Sequence, residues 1–366
     1  MLRASLVFDG KTLRVPESMG LPCHHQLTGT MLENLGEIAS RKCYESLGYD
    51  ENGKPRGRSS EKIHEHILEV NNSSVYEHCN ITLAIKVLNE THRKDILISC
   101  LNRKGIHVSD RIYSPDEISS AKDYVFVTSN LRAILEWEKY TTETNGSDAC
   151  KLLGSSLRRL ANEKAPLVVS KPENPVFYTY TCVKNQELDN NQAWISLYLF
   201  GSRGFTHEQV RHRYAMSQRS TRYVDESESE FVYHPLVKKH LSDDRRYLAS
   251  LTAECDRIAR KTYKQLFASI YERLILDGVP VDMARKQARG AARGFLPNNL
   301  ASDMIFSTSV NGWRDIFRQR ASKFADAEIR LVYNDVFAAL QESQYADRFS
   351  DFVWGPSPDG IGMILI

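Results

Sequence analysis

Residues Arg211 to Tyr223 read RHRYAMSQRSTRY. Arginines stand at 211, 213, 219 and 222, a histidine at 212, serines at 217 and 220, and no acid interrupts them. An apolar run, Trp194 to Phe200, leads into the stretch through Gly201, Ser202, Arg203 and Gly204. The whole chain carries a net charge of only +2, so these cations are a local concentration. Such a cluster repels itself unless something anionic sits in it. Guanidinium forks and serine hydroxyls both donate to phosphate oxygens, which makes a small phosphorylated ligand the first reading. A nucleic acid or a solvated basic surface stays open on this stretch alone.

The 366 residues are 42% hydrophobic and 26% charged, the composition of an ordinary soluble globular protein. The length accommodates two domains, or one larger domain with an insertion. Net charge near zero argues against a dedicated nucleic-acid or membrane-surface binder. The opening residues, MLRASLVFDGKTLRV, lack an apolar signal core, and no run approaches a membrane span, so the expected compartment is the cytoplasm. Cysteines at 23, 43, 79, 100, 150, 182 and 255 are scattered and never spaced CxxC, as in reduced intracellular thiols.

Read in order, Met1 to Gln26 predicts a strand or two with turns, and Cys23-His24-His25 is weak as a metal site because no partner pair stands at finger spacing. No metal is expected. Thr30 with Glu33 forms a capping-box pattern ahead of Met31, Leu35 and Ile38, which predicts a first helix ending near 44–48. Ile63, Ile67 and Val70 mark a second. The polar segment Asn71 to His78 precedes a strand at 81–87 and on its own reads as capping and turn chemistry ahead of ligand contacts. Tyr124 to Trp137 and Met304 to Phe317 share a strand–turn–helix cadence.

Beyond the arginines, the acidic run Asp225 to Glu230 could neutralise part of the cluster. A helix is predicted over 242–278 and a second over 282–295. In the second, Arg285, Arg289 and Arg293 share one stripe, and Ala284, Ala288, Ala291 and Ala292 make a slim body. A last long helix from Gly312 carries Trp313, Ile316, Phe317, Phe324 and Ala327 as its apolar stripe, with Arg320 inside it. A buried arginine there needs an acid, Glu328 for example, or a function. The C-terminal DFVWGPSPDGIGMILI reads as an extended tail.

Taken together, these pieces resemble the flavin-dependent thymidylate synthases. Arg211-His212-Arg213 with Ser220 and Arg222-Tyr223 match the RHR signature. Asn72 to His78 matches an upstream HxSxxEH-type segment, Ala292 to Pro297 an ARxxLP segment, and Arg320 before ADAEIR a late-helix arginine. The resemblance covers roughly 30–85 and 195–335. It implies an α+β fold, a mixed sheet with long helices, carrying an inserted segment. The parts would be 1–90 and 176–345 as catalytic core, 91–175 as insertion, and 346–366 as tail.

The resemblance also implies binding of FAD and dUMP side by side, with methylenetetrahydrofolate and NADPH as co-substrates, in a cytoplasmic homotetramer. Asn72, Ser74, Arg211, His212 and Arg213 would hold FAD. Gln218, Ser220, Arg222 and Arg293 would hold the nucleotide, and Arg320 would contact the pyrimidine and be catalytic. The sequence departs from the pattern in a six-residue gap between Arg213 and Ser220, in Asn72 for the first histidine, and in Ser309 and Asp315 near the flavin. Two alternatives stay open: a UMP or other pyrimidine nucleotide C5-methylase or hydroxymethylase, and a non-catalytic nucleotide- or RNA-binding relative. No nucleic acid or membrane partner is expected in the leading reading.

Overall fold

The computed structural model describes residues 3–15, 27, 31–47, 50, 52, 54, 56–70, 72–87, 89–91, 93–94, 97, 106–109, 124–136, 167–171, 174–182, 188–242 and 246–366. Cys23-His24-His25, the Thr30 cap and most of 91–175 lie outside them. The strands are β1 (Ala4–Phe8), β2 (Asn80–Lys86), β3 (Ile106–Ser109), β4 (Tyr124–Asn130), β5 (Leu167–Lys171), β6 (Asn174–Cys182), β7 (Trp194–Ser202), β8 (Ala215–Gln218), β9 (Ala301–Ser309), β10 (Trp354–Pro356) and β11 (Met363–Leu365). The helices are α1 (Met31–Cys43), α2 (Ser60–Glu69), α3 (Arg203–Gln209), α4 (Pro235–Ser242), α5 (Arg246–Leu276), α6 (Val281–Ala292), α7 (Val310–Arg320) and α8 (Ala327–Gln341).

The central sheet runs β1-β7-β9-β8. Its spine is the β7–β9 pair, in register from Trp194 opposite Ser309 to Ser202 opposite Ala301. All nine residues of β9 are buried, and they alternate between two cores. Met304 and Phe306 face Trp313, Ile316, Phe317 and Tyr333 of α7 and α8. Ile305 faces the core made by Leu35 and Ile38 of α1 with Val75 and Tyr76. Every described strand pair is antiparallel, which corrects the expected mixed sheet. β7 and β8 do run in the same direction, but β9 lies between them and pairs with both.

A second sheet, β3-β4-β2-β6-β5, falls largely within the expected insertion. There β4 leads into helical residues 131–136, with the Asn130 side chain accepting from Ala133 N at 2.8 Å. Ser309 caps α7 in the same way, accepting from Gly312 N at 3.2 Å. The shared cadence of the two sequences is therefore a shared strand–cap–helix geometry.

The expected single C-terminal helix is two. The first ends at Arg320, and Asp326 caps the second by accepting from Glu328 N at 2.8 Å. Phe324, expected on the apolar stripe, falls in the break and is 87% exposed. The last residues turn back as the β10–β11 hairpin, whose Trp354 packs 4.9 Å from Phe337 and 5.9 Å from Phe317, ring to ring. In α6, Ala284, Ala288 and Ala292 are fully buried, so its slim face packs as read. Its partner α5 is different: Tyr247, Leu251, Ile258 and Leu276 all stand exposed along it. Among the described residues no helix is long and apolar enough to cross a membrane.

Candidate active site

The arginine-rich stretch is held by what precedes it. Ser202 caps α3 by accepting from Phe205 N at 3.0 Å, and Glu328 accepts from both the amide and the hydroxyl of Ser202 at 2.8 and 2.7 Å. A short 3-10 turn, Val210–His212, then ends at Arg213, whose φ of 56° is left-handed. That turn swings the chain into β8, at the cost that a non-glycine residue incurs there.

Arg320 meets this turn from the C-terminal end of α7. Its Nε donates to His212 Nε2 at 2.9 Å and its Nη1 to Glu208 Oε2 at 2.8 Å. The acid that satisfies it is Glu208, since Glu328 is committed to Ser202. It is also not inside a buried stripe but at a helix end, with a side chain 20% exposed. Because His212 Nε2 accepts, the ring is neutral and carries its proton on Nδ1. Burial, and then the Arg320 charge, bring the His212 pKa down to about 4.

At the far end of the stretch Arg293 Nη1 donates to Thr221 Oγ1 at 3.3 Å. Half-buried Arg203 lies close enough that burial and the Arg293 charge lower its pKa. Neither guanidinium has a carboxylate within ion-pair distance among the described residues, though Glu226 lies near enough to Arg203 to offset part of the shift. Arg203 was passed over in the sequence as part of the Gly201–Gly204 linker; its signal was a cation immediately after the capping serine. Gln218 Nε2 donates to Thr206 Oγ1 and Ser302 Oγ at 2.9 and 3.1 Å. The Ser220 carbonyl accepts from Tyr223 N and Val224 N, closing the turn that presents Arg222, which is exposed.

The acidic run does neutralise cations. Glu226 pairs with Arg219, Asp225 lies 3.6 Å from Arg289, and Glu228 reaches Arg260 and Lys264. Of the α6 stripe, Arg289 is thus engaged and Arg285 is exposed beside Asp282. Arg293 alone of the three meets the arginine-rich stretch without an acid.

The upstream segment forms a 3-10 turn, Ser73–His78. Ser74 Oγ donates to Asn72 Oδ1 at 3.2 Å, and Asn72 Nδ2 donates to Tyr44 Oη at 3.3 Å. Tyr44 in turn packs edge-on to Tyr223, ring centroids 4.8 Å apart. Through Tyr44, Asn72 and Ser74 are linked to the Arg222-Tyr223 end of the stretch, while His212 sits with Arg320.

His78, at the end of that segment, is fully buried. Its Nδ1 is 2.7 Å from Ser307 Oγ and its Nε2 3.0 Å from Ser217 Oγ, while Ser307 Oγ donates to Ser196 Oγ at 2.6 Å. The chain of hydroxyls ties the upstream segment to β7, β8 and β9. Burial holds the His78 pKa down at about 3, against 6.5 when free. The unfolded chain thus binds a proton that the native state refuses. Stability is complete above pH 6.5 and is lost as pH falls from there toward 3. Urea denaturation at pH 7.5 and pH 5 should show this loss, with His212 adding to it in the same direction. His78→Gln should be less stable at pH 7.5 and show a shallower loss; an equal slope would place the acid sensitivity elsewhere.

Fold and geometry together bring an arginine-rich turn to the ends of two helices, where Arg320 and Arg293 meet it. Residues 191–343 match the family model described as thymidylate synthase complementing protein. Similar proteins include the flavin-dependent thymidylate synthases of Mycobacterium avium and Mycolicibacterium gilvum, 37% and 39% identical over 170 residues, 46% of this chain and 65% of each relative. That of Mycobacterium tuberculosis is 40% identical over 160 residues, 42% of this chain and 62% of the relative. The chain thus spans just under two thirds of the length of these relatives. Over residues 191–343 the chain matches the flavin-dependent thymidylate synthases, a family of enzymes. The matched residues contain Arg203, the whole arginine-rich stretch, Arg293 and Arg320; Asn72 and Ser74 lie outside them.

Proposed function

We propose that this chain methylates C5 of the uracil of dUMP, with FAD bound, methylenetetrahydrofolate as carbon donor and NADPH as reductant. The observation that carries the reading is Arg320. It reaches across more than a hundred residues to His212 and Glu208, beside a signature turn whose other end meets Arg203 and Arg293, neither in an ion pair among the described residues. Those two, with Thr221, Ser220, Arg222 and Gln218, bind and orient the nucleotide, the guanidiniums taking its phosphate. Arg320 directs its charge at the pyrimidine, where it would stabilise the electron-rich, polarised form of the uracil from which C5 attacks, and neutral His212 fixes the guanidinium through Nε.

A flavin fits the residues present. Arg211 and Arg213 are exposed cations with no carboxylate in ion-pair distance among the described residues, suited to a pyrophosphate, and Asn72 and Ser74 add polar contacts. Bound and reduced, the flavin supplies the hydride, so the chain needs no cysteine nucleophile. Cys43, the cysteine nearest the stretch, agrees: burial pushes its thiol up to about 11. The parts of the enzyme are 1–90 and 176–345 as core, with 91–175 inserted. The exposed apolar residues of α5 support assembly into a homotetramer.

The direct test is a visible absorbance spectrum of the protein with FAD, titrated separately with dUMP and UMP. A flavin spectrum perturbed by dUMP supports the reading, and one perturbed only by UMP moves the substrate to the ribonucleotide. Absence of flavin binding refutes it. Arg293→Ala should raise the nucleotide KM roughly 100-fold, equivalent to about 3 kcal/mol of charge-assisted hydrogen bonding, with kcat changed far less. An effect on melting temperature alone would make the α6 arginines structural.

A further inference from the structure

A cleft of about 180 Å³ opens beside Arg213, and its two walls come from different parts of the chain. One wall is Trp194, Arg213 and Tyr214, from β7 and the signature turn. The other is Glu77, Arg132 and Glu136, from the upstream segment and the helical residues after β4. The second wall lies entirely outside the family match at 191–343, and most of it belongs to the inserted segment. Arg132 anchors that wall, donating to Glu77 Oε1 at 2.5 Å and to Glu136 Oε1 at 2.7 Å.

The chemistry of the cleft differs from that of the anion site. Two carboxylates, Glu77 and Glu136, balance two guanidiniums, Arg132 and Arg213, so a phosphate gains nothing here over solvent. Two aromatic side chains supply flat apolar surface. The indole Nε1 of Trp194 is buried and has no acceptor among the described residues, an orphan donor that a ligand carbonyl would satisfy. The volume admits a ring system and not a whole dinucleotide.

We propose that the inserted segment completes this cleft as the seat of a planar heteroaromatic ring bearing carbonyl acceptors and ring N–H donors, with Arg132 and Trp194 as its binding residues. This inference rests on the proposed flavin- and folate-dependent reading. A flavin isoalloxazine and a folate pterin share the required chemistry. Trp194 N–H donates to a ring carbonyl, Glu77 or Glu136 accepts a ring N–H, and Tyr214 covers a face. Arg132 keeps the two carboxylates in place and neutralises one of them.

The test uses the full chain and two probes, FAD and folic acid, each titrated while tryptophan fluorescence is recorded, with dUMP binding measured in parallel. Trp194→Phe should abolish the quenching caused by one probe and weaken its binding about tenfold. Arg132→Gln should weaken the same probe at least tenfold, and Arg132→Lys, which keeps the charge, should recover part of the loss. Both should leave the dUMP Kd within about twofold. The probe that responds identifies the ring: FAD for the isoalloxazine, folic acid for the pterin. If wild type binds the probes and every variant binds them equally well, the cleft inference fails and the proposed activity stands. If wild type binds dUMP but neither probe, the cleft inference and the flavin reading fail together. Should Arg132→Gln not fold, Trp194→Phe and Arg132→Lys decide the matter.

Discussion

Arg320→Ala is expected to lower kcat/KM for nucleotide methylation at least 1000-fold, about 4 kcal/mol of transition-state stabilisation, while the protein stays folded. Folding survives because the partner left behind is Glu208, whose side chain is 42% exposed and can be solvated. An ion pair so open to water contributes under about 1 kcal/mol. The loss therefore reports on chemistry. A second signature accompanies it: without the neighbouring guanidinium, His212 should titrate above its present value of about 4, though burial keeps it below that of a free histidine. Arg320→Lys keeps the charge but cannot donate to both His212 and Glu208 from a planar fork, so it should recover only part of the activity. Turnover assays, circular dichroism and a histidine NMR titration read the three effects. Wild-type turnover in Arg320→Ala would remove this arginine from the mechanism.

Arg41→Ala is expected to destabilise the protein by about 3–5 kcal/mol, the range for breaking a buried ion pair on one side. Arg41 and Glu37 are one turn apart in α1 and neither side chain has any exposure. Arg41 donates to Glu37 Oε1 through Nε at 2.7 Å, and also to the carbonyls of Ser46, Arg56 and Arg58, so one guanidinium fastens the chain after α1. Ser60 completes the group by donating to the other Glu37 oxygen, joining α2 to it. Its removal leaves a buried carboxylate and three carbonyls with a missing donor. Burial drives the Glu37 pKa up, but the His64 ring 3.7 Å away and the hydrogen bonds from Ser60 and Arg41 prevail, and the net shift is down from 4.5. The stability it brings is complete above that pH and disappears as acid is added. Arg41→Met with Glu37→Leu should cost much less than either single change, because no unpaired charge remains. Urea denaturation of wild type, Arg41→Ala, the two single changes and the double variant decides it; an Arg41→Ala loss under about 1 kcal/mol would show that water replaces the guanidinium.

How much of this was legible in the sequence depends on the range of the interaction. The periodicity of α1, the alanine face of α6 and the concentration of arginines at 211–223 are local, and the structure keeps them. The break between α7 and α8 was readable too, from Asp326 as a cap, but the apolar spacing of Phe324 and Ala327 ran across it and won. Long-range pairings left no local mark. Nothing in the sequence says that Glu208 rather than Glu328 meets Arg320, that Glu226 meets Arg219, or that His78 is enclosed by serines from three strands. Arg203 was hidden for a related reason: in one dimension it belongs to a glycine-flanked linker, and only the fold brings it to Arg293. The cleft at Arg132 is the extreme case, since its walls come from segments about sixty and eighty residues apart.

The place of β9 bears on how the protein is made. β7 and β8 leave the ribosome with a dozen residues between them, yet neither pairs with the other, and the strand that joins them follows some eighty residues later. Until residue 309 has emerged, β7 has only β1 to pair with and β8 has no partner in the central sheet, so the facing edges of β7 and β8 stay unzipped. Completion of the site is therefore a late event in synthesis. Arrested nascent chains released before that point should be bound by chaperones or degraded, and those released soon after α7 and α8 have emerged should acquire protease resistance together.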